Sequence, residues 1–144
     1  MATEVQVTFD CADPASLVKF WCEVLGYEPQ SPPEGYGTWD AYFDEMDVPP
    51  ERRNDYAAAV DPDGNGPRLF FQKVPEGKSV KNRVHLDVGA APDASKEERM
   101  DALSRRADEL IELGATRLER VEPSGMVTGF IVMQDPEGNE YCLD

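Results

Sequence analysis

The chain has 144 residues, of which 40% are hydrophobic and 30% charged, and its 14 basic against 29 acidic residues give a net charge of −15. These values are typical of one globular domain that is long enough to bury a core. Such a surface repels nucleic acid and anionic membranes, and no apolar run approaches the about 20 residues of a bilayer span. We therefore expect neither kind of partner. The acidic surface favours a cationic ligand or simply aids solubility.

The N-terminal sequence MATEVQVTFD has neither the basic nor the apolar region of a secretory signal. The three cysteines, Cys11, Cys22 and Cys142, are odd in number and lack C-x-x-C spacing, which favours reduced thiols. Together these features predict a cytoplasmic protein.

The first half of the chain predicts a strand, a helix and three more strands. From Val7 to Asp10, in VTFD, apolar and polar residues alternate as they do in strands. Asp13 is a good helix cap, Pro14 suits the first helical position, and Gly26 can end the helix. The remaining strands are expected as a short piece near Tyr27, at 56–60 and at 68–74.

A segment rich in aromatic residues, TWDAYFDEMDVPPERRND, interrupts the first half. After Thr38, a possible cap, Trp39, Tyr42 and Phe43 lie at helical spacing, which predicts a short amphipathic helix. An inserted helix beside a cavity can act as a lid. Alternatively, it packs on the edge of the sheet or on a partner subunit, and the sequence leaves both readings open.

The second half repeats the order of the first. VHLD, from Val84 to Asp87, predicts a strand. Ser95 and Glu98 form an S-x-x-E capping box, which predicts the start of a helix, and Gly114 can end it. Three strands are expected after it, at 116–121, 128–134 and 139–143.

A turn sequence also occurs twice, as DPDGN from Asp61 and as DPEGN from Asp135, each time before the last strand of a half. In such turns Pro presets φ and Gly takes the position with positive φ. With the matching strands, this echo predicts a duplicated βαβββ module within one domain of residues 1–144: module one at about 1–76 and module two at about 80–144. Two modules can pack so that their sheets curve around a shared cavity.

Five motifs cover nearly the whole chain: VTFDCADP, FWCEVLGY, DPDGNGPRLFFQKVPEGK, KNRVHLDV and DPEGNEYCL. In this order and spacing they resemble the vicinal oxygen chelate superfamily, whose members include glyoxalase I, ring-cleaving dioxygenases and bleomycin-resistance proteins. The chain looks most similar to the small glyoxalase-like proteins. The resemblance implies an α+β fold in which paired βαβββ modules form a cupped, mostly antiparallel sheet. It also implies a ligand cavity in each cup and frequent homodimers.

The resemblance further implies where a divalent metal would bind. Metal enzymes of this superfamily take a His or Glu from the first strand of each module and a Glu from the last strand. These positions fall on His85 and Cys142 in module two, and on Thr8 (or Gln6) and near Gln72 in module one. Only His85 carries an expected ligand, which argues against metal catalysis of the usual kind.

His85, the only histidine, is the candidate catalytic residue and the candidate metal ligand. Strand alternation places His85 and Asp87 towards the cup, and Val84, Leu86 and Val88 towards the helices. His85 is a hydrogen-bonded packing residue, a general acid or base, or a metal ligand. Asp87 can orient the imidazole only if the strand bends, because side chains two residues apart on a strand lie about 6.5–7 Å from each other.

Cys142 shares a strand face with Glu140 by the same alternation. Opposite His85 it is a soft zinc ligand or a nucleophile, or else a small buried thiol. As a zinc site it needs a third ligand, for which Asp10, Asp87 and Glu140 are candidates. Aromatic side chains along the other strands suit a flat apolar ligand, although alternation does not say which of them face the core. The candidate ligand-binding residues are Thr8, Trp39, Tyr42, Phe43, Phe70, Gln72, Asp87, Phe130 and Cys142.

Three functions are compatible with this pattern. The first is binding of a small hydrophobic or aromatic molecule, with drug or natural-product sequestration as one purpose. The second is a divalent-metal-dependent lyase, isomerase or dioxygenase of the glyoxalase type, in which a metal held by His85 stabilises an enediolate or a related oxyanion. The third is a regulatory or interaction module with a vestigial cup.

Overall fold

The computed structural model describes residues 1–144, which separate into two compact units, Met1–Gly77 and Lys78–Asp144. The first unit contains β1 (Val7–Cys11), α1 (Pro14–Leu25), β2 (Glu28–Pro29), α2 (Trp39–Glu45), a short 3-10 turn (Pro50–Arg52), β3 (Tyr56–Val60) and β4 (Leu69–Lys73). The second unit contains β5 (Leu86–Val88), α3 (Arg99–Glu112), β6 (Thr116–Val121), β7 (Phe130–Gln134) and β8 (Glu140–Leu143).

Each unit forms its own four-stranded sheet, with strand order β1-β4-β3-β2 in the first and β5-β8-β7-β6 in the second. The first strand of each unit pairs in parallel with the last, and the remaining neighbours are antiparallel. Both units therefore have the βαβββ order, and the predicted α+β class and duplicated module are confirmed. The grouping of both modules into one domain stays a prediction.

The core of the first unit lies between α1 and its sheet. Helix α1 packs against β2, β3 and β4 and buries Leu17 and Trp21, both 1% exposed. The ring of Phe9 lies 5.1 Å from that of Trp21 and 5.1 Å from that of Phe71, measured between centroids. Burial of each such side chain contributes about 1.5–3 kcal/mol to stability.

The core of the second unit is built in the same way, with α3 packed on β6 and β7. The side chains between the helix and the sheet are fully buried: Leu103, Ala107, Leu110, Ile131, Met133, Tyr141 and Leu143. On β8, Tyr141 and Leu143 point to this side, so Cys142 between them belongs to the other face of the sheet.

Both repeated turns share hydrogen bonds between the Asp side chain and the backbone of the turn. Asp61 Oδ1 accepts from the backbone nitrogen of Asp63, as Asp135 Oδ1 accepts from that of Glu137, each at 2.9 Å. The glycines of the two turns have φ of 72° at Gly64 and 86° at Gly138, in the region that favours glycine. The duplication seen in the sequence is thus also present in the turn geometry.

The helix ends confirm most of the predicted caps. Asp13 accepts from the backbone nitrogen of Ser16, Thr38 accepts from that of Ala41, and Gly26 ends α1 in the left-handed conformation. The predicted start of α3 at Ser95 is wrong. Ser95 accepts from the backbone nitrogen of Glu98 at 3.3 Å, but this contact closes a turn that precedes the helix, which begins only at Arg99.

The predicted strand at VHLD also starts too early. Ladder pairing with β8 begins at Leu86, so Val84 and His85 precede β5. Val84 is 82% exposed and does not face the helix as the alternation predicted, because alternation holds only within a paired strand. No helix in the structure combines the length and the apolar character that crossing a membrane requires.

The buried turn at Asp135 yields a test of the fold. Asp135 is 2% exposed, and its carboxylate also accepts from the backbone and side-chain nitrogens of Asn139 at 3.0 and 2.9 Å. Asp135→Ala should lower the free energy of unfolding in urea by about 2–4 kcal/mol, because buried donors left without an acceptor cost about 1–3 kcal/mol each.

Asp61→Ala is the matched control. It removes equivalent contacts from a partly exposed turn, where water can replace the carboxylate, so its loss should be clearly smaller. Equal losses in the two variants would contradict the role given to burial.

Candidate functional site

Three side chains meet on the helix-free face of the second sheet. Asp87 on β5 lies directly opposite Cys142 on β8 in the parallel ladder, and His85 precedes β5 by one residue. The donor atoms of His85, Asp87 and Cys142 all lie within 4.8 Å of one another. Asp87 contacts His85 directly, with His85 Nε2 3.2 Å from Asp87 Oδ1, and its carboxylate acts on the neighbouring Cys142 thiol.

The contact between His85 and Asp87 shows how the chain leaves the sheet. A regular strand would hold the two side chains about 6.5–7 Å apart. Since His85 lies outside the paired strand, its side chain is free to turn towards Asp87. This departure from the strand is the condition under which the sequence predicts that Asp87 can orient the imidazole. The imidazole is 39% exposed and the Asp87 carboxylate 60% exposed, so solvent reaches both.

Cys142 is 8% exposed and is the buried member of the cluster. Burial, together with the charge and hydrogen bond of Asp87, raises the pKa of Cys142 to about 11. The residue is therefore a protonated thiol at neutral pH, and it is a poor nucleophile unless a cation displaces the proton.

Glu140, which shares a strand face with Cys142, is occupied elsewhere. Its carboxylate accepts from the backbone nitrogen of Asn82 at 3.0 Å and pairs with Lys78 Nζ at 3.1 Å. Burial alone would raise its pKa, but these hydrogen bonds hold the pKa of Glu140 below its usual value. Of the third ligands considered from the sequence, the structure thus brings Asp87, and not Glu140, to His85 and Cys142.

The first module has the same frame with different chemistry. Asp10 on β1 lies opposite Gln72 on β4, as Asp87 lies opposite Cys142, and Thr8 occupies the position that corresponds to His85. Gln72 Nε2 donates to Asp10 Oδ1 at 2.7 Å. Thr8 has a neutral hydroxyl group and Gln72 a neutral amide. At these three positions, module one therefore offers one carboxylate as a metal ligand, whereas module two offers an imidazole, a carboxylate and a thiol.

Aromatic side chains also lie on the helix-free faces. Phe70 and Phe130 are half-buried there, whereas their neighbours Phe71 and Ile131 are fully buried against the helices. Tyr56 stacks on Phe70 with ring centroids 5.5 Å apart at an angle of 19°. The structure thereby answers the question that alternation left open: Phe70, Gln72 and Phe130 are accessible, and Met133 belongs to the core.

The inserted helix α2 is present as predicted and carries a cluster of aromatic rings. Trp39 is 37% exposed, and its ring stacks on Phe43 at 5.6 Å while Tyr42 lies at 5.8 Å. Trp39 Nε1 donates to the Gln30 carbonyl at 2.9 Å, and Arg53 pairs with Asp44 at 2.7 Å. These contacts fasten the helix to its own unit, and its action as a lid stays a prediction.

Two accessible residues, Tyr56 and Arg68, were not among the candidates predicted from the sequence. Both lie on the face of the first sheet that carries Phe70 and Gln72. Alternation backwards from Gln72 places Arg68 on that face, so the signal was present. Its partners were not foreseeable, because Gln6 and Gln30 are far from Arg68 in sequence.

Comparisons with known proteins agree on the fold. A family model described as a glyoxalase-like domain matches residues 6–143. A glyoxalase-related enzyme from Fulvimarina pelagi has 14% identity and a TM-score of 0.62, and the match covers 99% of this chain and 87% of that one. A search of curated proteins finds no match.

Two further solved structures have the same fold. A variant of a fosfomycin resistance protein from Listeria monocytogenes, complexed with Mn(II) and 1S,2S-dihydroxypropylphosphonic acid, has 11% identity and a TM-score of 0.60 over 99% of this chain and 90% of that one. TioX from Micromonospora sp. ML1 has 14% identity and a TM-score of 0.54 over 99% and 97%. Given the family match over almost its whole length, the chain belongs to the glyoxalase-like domain family.

Proposed function

We propose that this protein binds a small hydrophobic or aromatic molecule on the helix-free faces of its sheets. The observation that carries the proposal is the placement of half-buried aromatic rings, Phe70 and Phe130, among polar groups on those faces. Ligand sites typically combine apolar walls with a few polar groups that fix orientation. A structural neighbour named as a fosfomycin resistance protein supports a drug or natural product as the ligand class.

A second candidate function, a metal-dependent lyase or isomerase, is favoured by the cluster of His85, Asp87 and Cys142. Three protein ligands and an open position are typical of catalytic zinc, and ligand atoms around such an ion lie about 3.3–3.8 Å apart. Donor atoms within 4.8 Å of one another fit that requirement after small side-chain rotations. Imidazole, thiolate and carboxylate also suit Zn²⁺ or Co²⁺ better than Mg²⁺.

In this candidate the residues of the chain have separate roles. His85 and Cys142 would hold the ion, and Asp87 would either join them as a ligand or keep the imidazole oriented through its 3.2 Å contact. A bound divalent ion supplies Lewis-acid stabilisation of an oxyanion. Because the neutral residues Thr8 and Gln72 stand at the corresponding positions of module one, we rank binding before metal catalysis.

The binding proposal is tested with a library of planar aromatic compounds that includes neutral, cationic and anionic members. Binding measured by ligand-observed NMR should be found for part of the library. Phe70→Ser or Phe130→Ser should weaken it by about tenfold, because aromatic contacts and burial contribute about 1–2 kcal/mol.

Ile111→Ser is the control for that experiment. Ile111 is 40% exposed on α3, which packs on the opposite face of the second sheet, so the substitution removes a similar apolar group away from the proposed site. A library without any binder, or equal effects of all three substitutions, would refute the proposal.

The metal candidate is tested by titration of the chain with Co²⁺. Binding should produce a thiolate-to-cobalt charge-transfer band. Below the Cys142 pKa of about 11, the affinity should rise about tenfold per pH unit, because the ion displaces one thiol proton. Spectra recorded at several pH values measure both effects.

His85→Ala and Cys142→Ser should abolish the band, and Cys22→Ser should leave it unchanged. Cys22 is a suitable control because it is also buried and burial raises its pKa to about 11 as well. A band that persists in Cys142→Ser, or none at any pH, would remove this candidate.

The homodimer implied by the family stays a prediction of its own. Light scattering at micromolar concentration should give about twice the chain mass of 16.0 kDa. A mass of one chain would remove the dimer and leave the ligand proposal standing.

A further inference from the structure

We propose that the helix-free face of the first module binds a planar aromatic molecule that carries a carboxylate, with Arg68 holding the carboxylate. This inference rests on the proposed function, because it names the chemical class of the molecule that one of the two faces takes. The starting observation is that no Asp or Glu side chain of the protein forms an ion pair with Arg68.

Most arginines of this acidic chain form an ion pair with a carboxylate, but Arg68 does not. Six arginines form ion pairs with Asp or Glu: Arg52, Arg53, Arg99, Arg106, Arg117 and Arg120. Arg68 instead donates from Nε to Gln30 Oε1 at 2.7 Å and from Nη1 to Gln6 Oε1 at 2.6 Å. Two neutral acceptors fix the position of the guanidinium without neutralising it.

The fixed position distinguishes Arg68 from the other arginines without an ion pair. Arg83 and Arg105 are exposed, and their guanidinium groups make no hydrogen bond to the chain. The guanidinium of Arg68 uses two of its five N–H hydrogens, and Nη2 makes no bond within the chain. A pre-oriented guanidinium with free donors is suited to bidentate pairing with a carboxylate.

The aromatic part of the ligand follows from the neighbours of Arg68. Its Cζ lies 5.2 Å from the centroid of the Phe70 ring, and that ring stacks on Tyr56. Tyr56 is 59% exposed, so the two rings form an accessible apolar surface with the guanidinium at one end. A flat ring placed on this surface can contact both aromatic rings while its carboxylate reaches Arg68.

The distribution of charge along β4 fixes the orientation. Arg68, Phe70 and Gln72 follow one another on this face, so Gln72 lies about 13 Å from Arg68 along the strand. Gln72 is bonded to the carboxylate of Asp10 at 2.7 Å. The face is therefore positive at Arg68 and negative at Asp10, which favours a ligand whose anionic group points to Arg68.

The test compares two probes by isothermal titration calorimetry on the full chain: naphthoate and the matching neutral alcohol, naphthylmethanol. We expect the wild-type chain to bind naphthoate about tenfold or more tightly than the alcohol, as one charge-assisted pair would give. Arg68→Gln should remove this preference. Arg105→Gln, which removes the same charge from an exposed position, should retain it.

A second pair of variants keeps the test decisive if Arg68→Gln fails to fold. Arg68→Lys retains the charge but lacks the planar fork, so it should lose most of the preference. Tyr56→Ser, at an exposed position, should weaken both probes by a similar factor and leave their ratio unchanged.

Three results would overturn the inference: no binding of naphthoate, a preference for naphthoate that survives both Arg68→Gln and Arg68→Lys, or equal affinity for the two probes. The last of these removes the role of Arg68 and leaves aromatic binding intact. If neither probe binds but other members of the aromatic library do, the inference fails and the proposed function stands. If the library is empty as well, both fail.

Discussion

Each unit of this protein has one long helix for a four-stranded sheet, so only one face of each sheet can be buried by its own module. Strand alternation then divides the side chains between two purposes. On β8, Tyr141 and Leu143 are fully buried, and Cys142 between them belongs to the face without a helix. The same rule separates Phe71 from Phe70 on β4. The candidate site therefore consists of the residues that alternation keeps out of the core.

The repeated turns help to set the strand register, and the register decides which side chains of a strand face the helix and which face the open side. A shift of one residue would exchange the two faces of a strand, placing Cys142 in the core and Leu143 on the open face. Asp135 fixes the turn before β8 through bonds to the backbone nitrogens of Glu137 and Asn139. Chemistry at the open face thus depends on a buried carboxylate in the turn before β8.

Local signals in the sequence were sufficient for most of the fold. The strands at Tyr56–Val60 and Thr116–Val121 have the bounds that alternation predicted, and α1 begins after Asp13 and ends before Gly26, as its cap residues indicated. The errors arise where tertiary pairing decides. At VHLD the ladder with β8 starts only at Leu86, and nothing in those four letters shows which residues find a partner.

The candidate site was predictable in part for the same reason. Alternation predicts Asp87 on the side away from the helix, and the sequence offers Asp87 as one of three candidate third ligands. The approach of His85 to it, however, depends on the chain leaving the sheet before Leu86. The contacts that hold Arg68 join residues 62 and 38 positions apart in sequence. Such pairs follow from strand order, which a single sequence does not specify.

Duplication gives the two modules one frame, and the differences between them are few. Asp10 and Asp87 occupy equivalent ladder positions, so the carboxylate is common to both. In module one its partner is the Gln72 amide, which neither titrates nor binds metals well, so the pair keeps the negative charge of the carboxylate. In module two its partners are an imidazole and a thiol, whose protons can be lost or displaced.

Two positions therefore decide what each face can do. In module one, Thr8 and Gln72 are neutral, so the selectivity of that face must come from its aromatic rings and from Arg68. Histidine and cysteine give a face that can hold a cation against Asp87. Because the backbone frame is the same, the difference in chemistry between the modules requires no change of fold. It also explains why membership of the family, which rests on the frame, does not determine the ligand of either face.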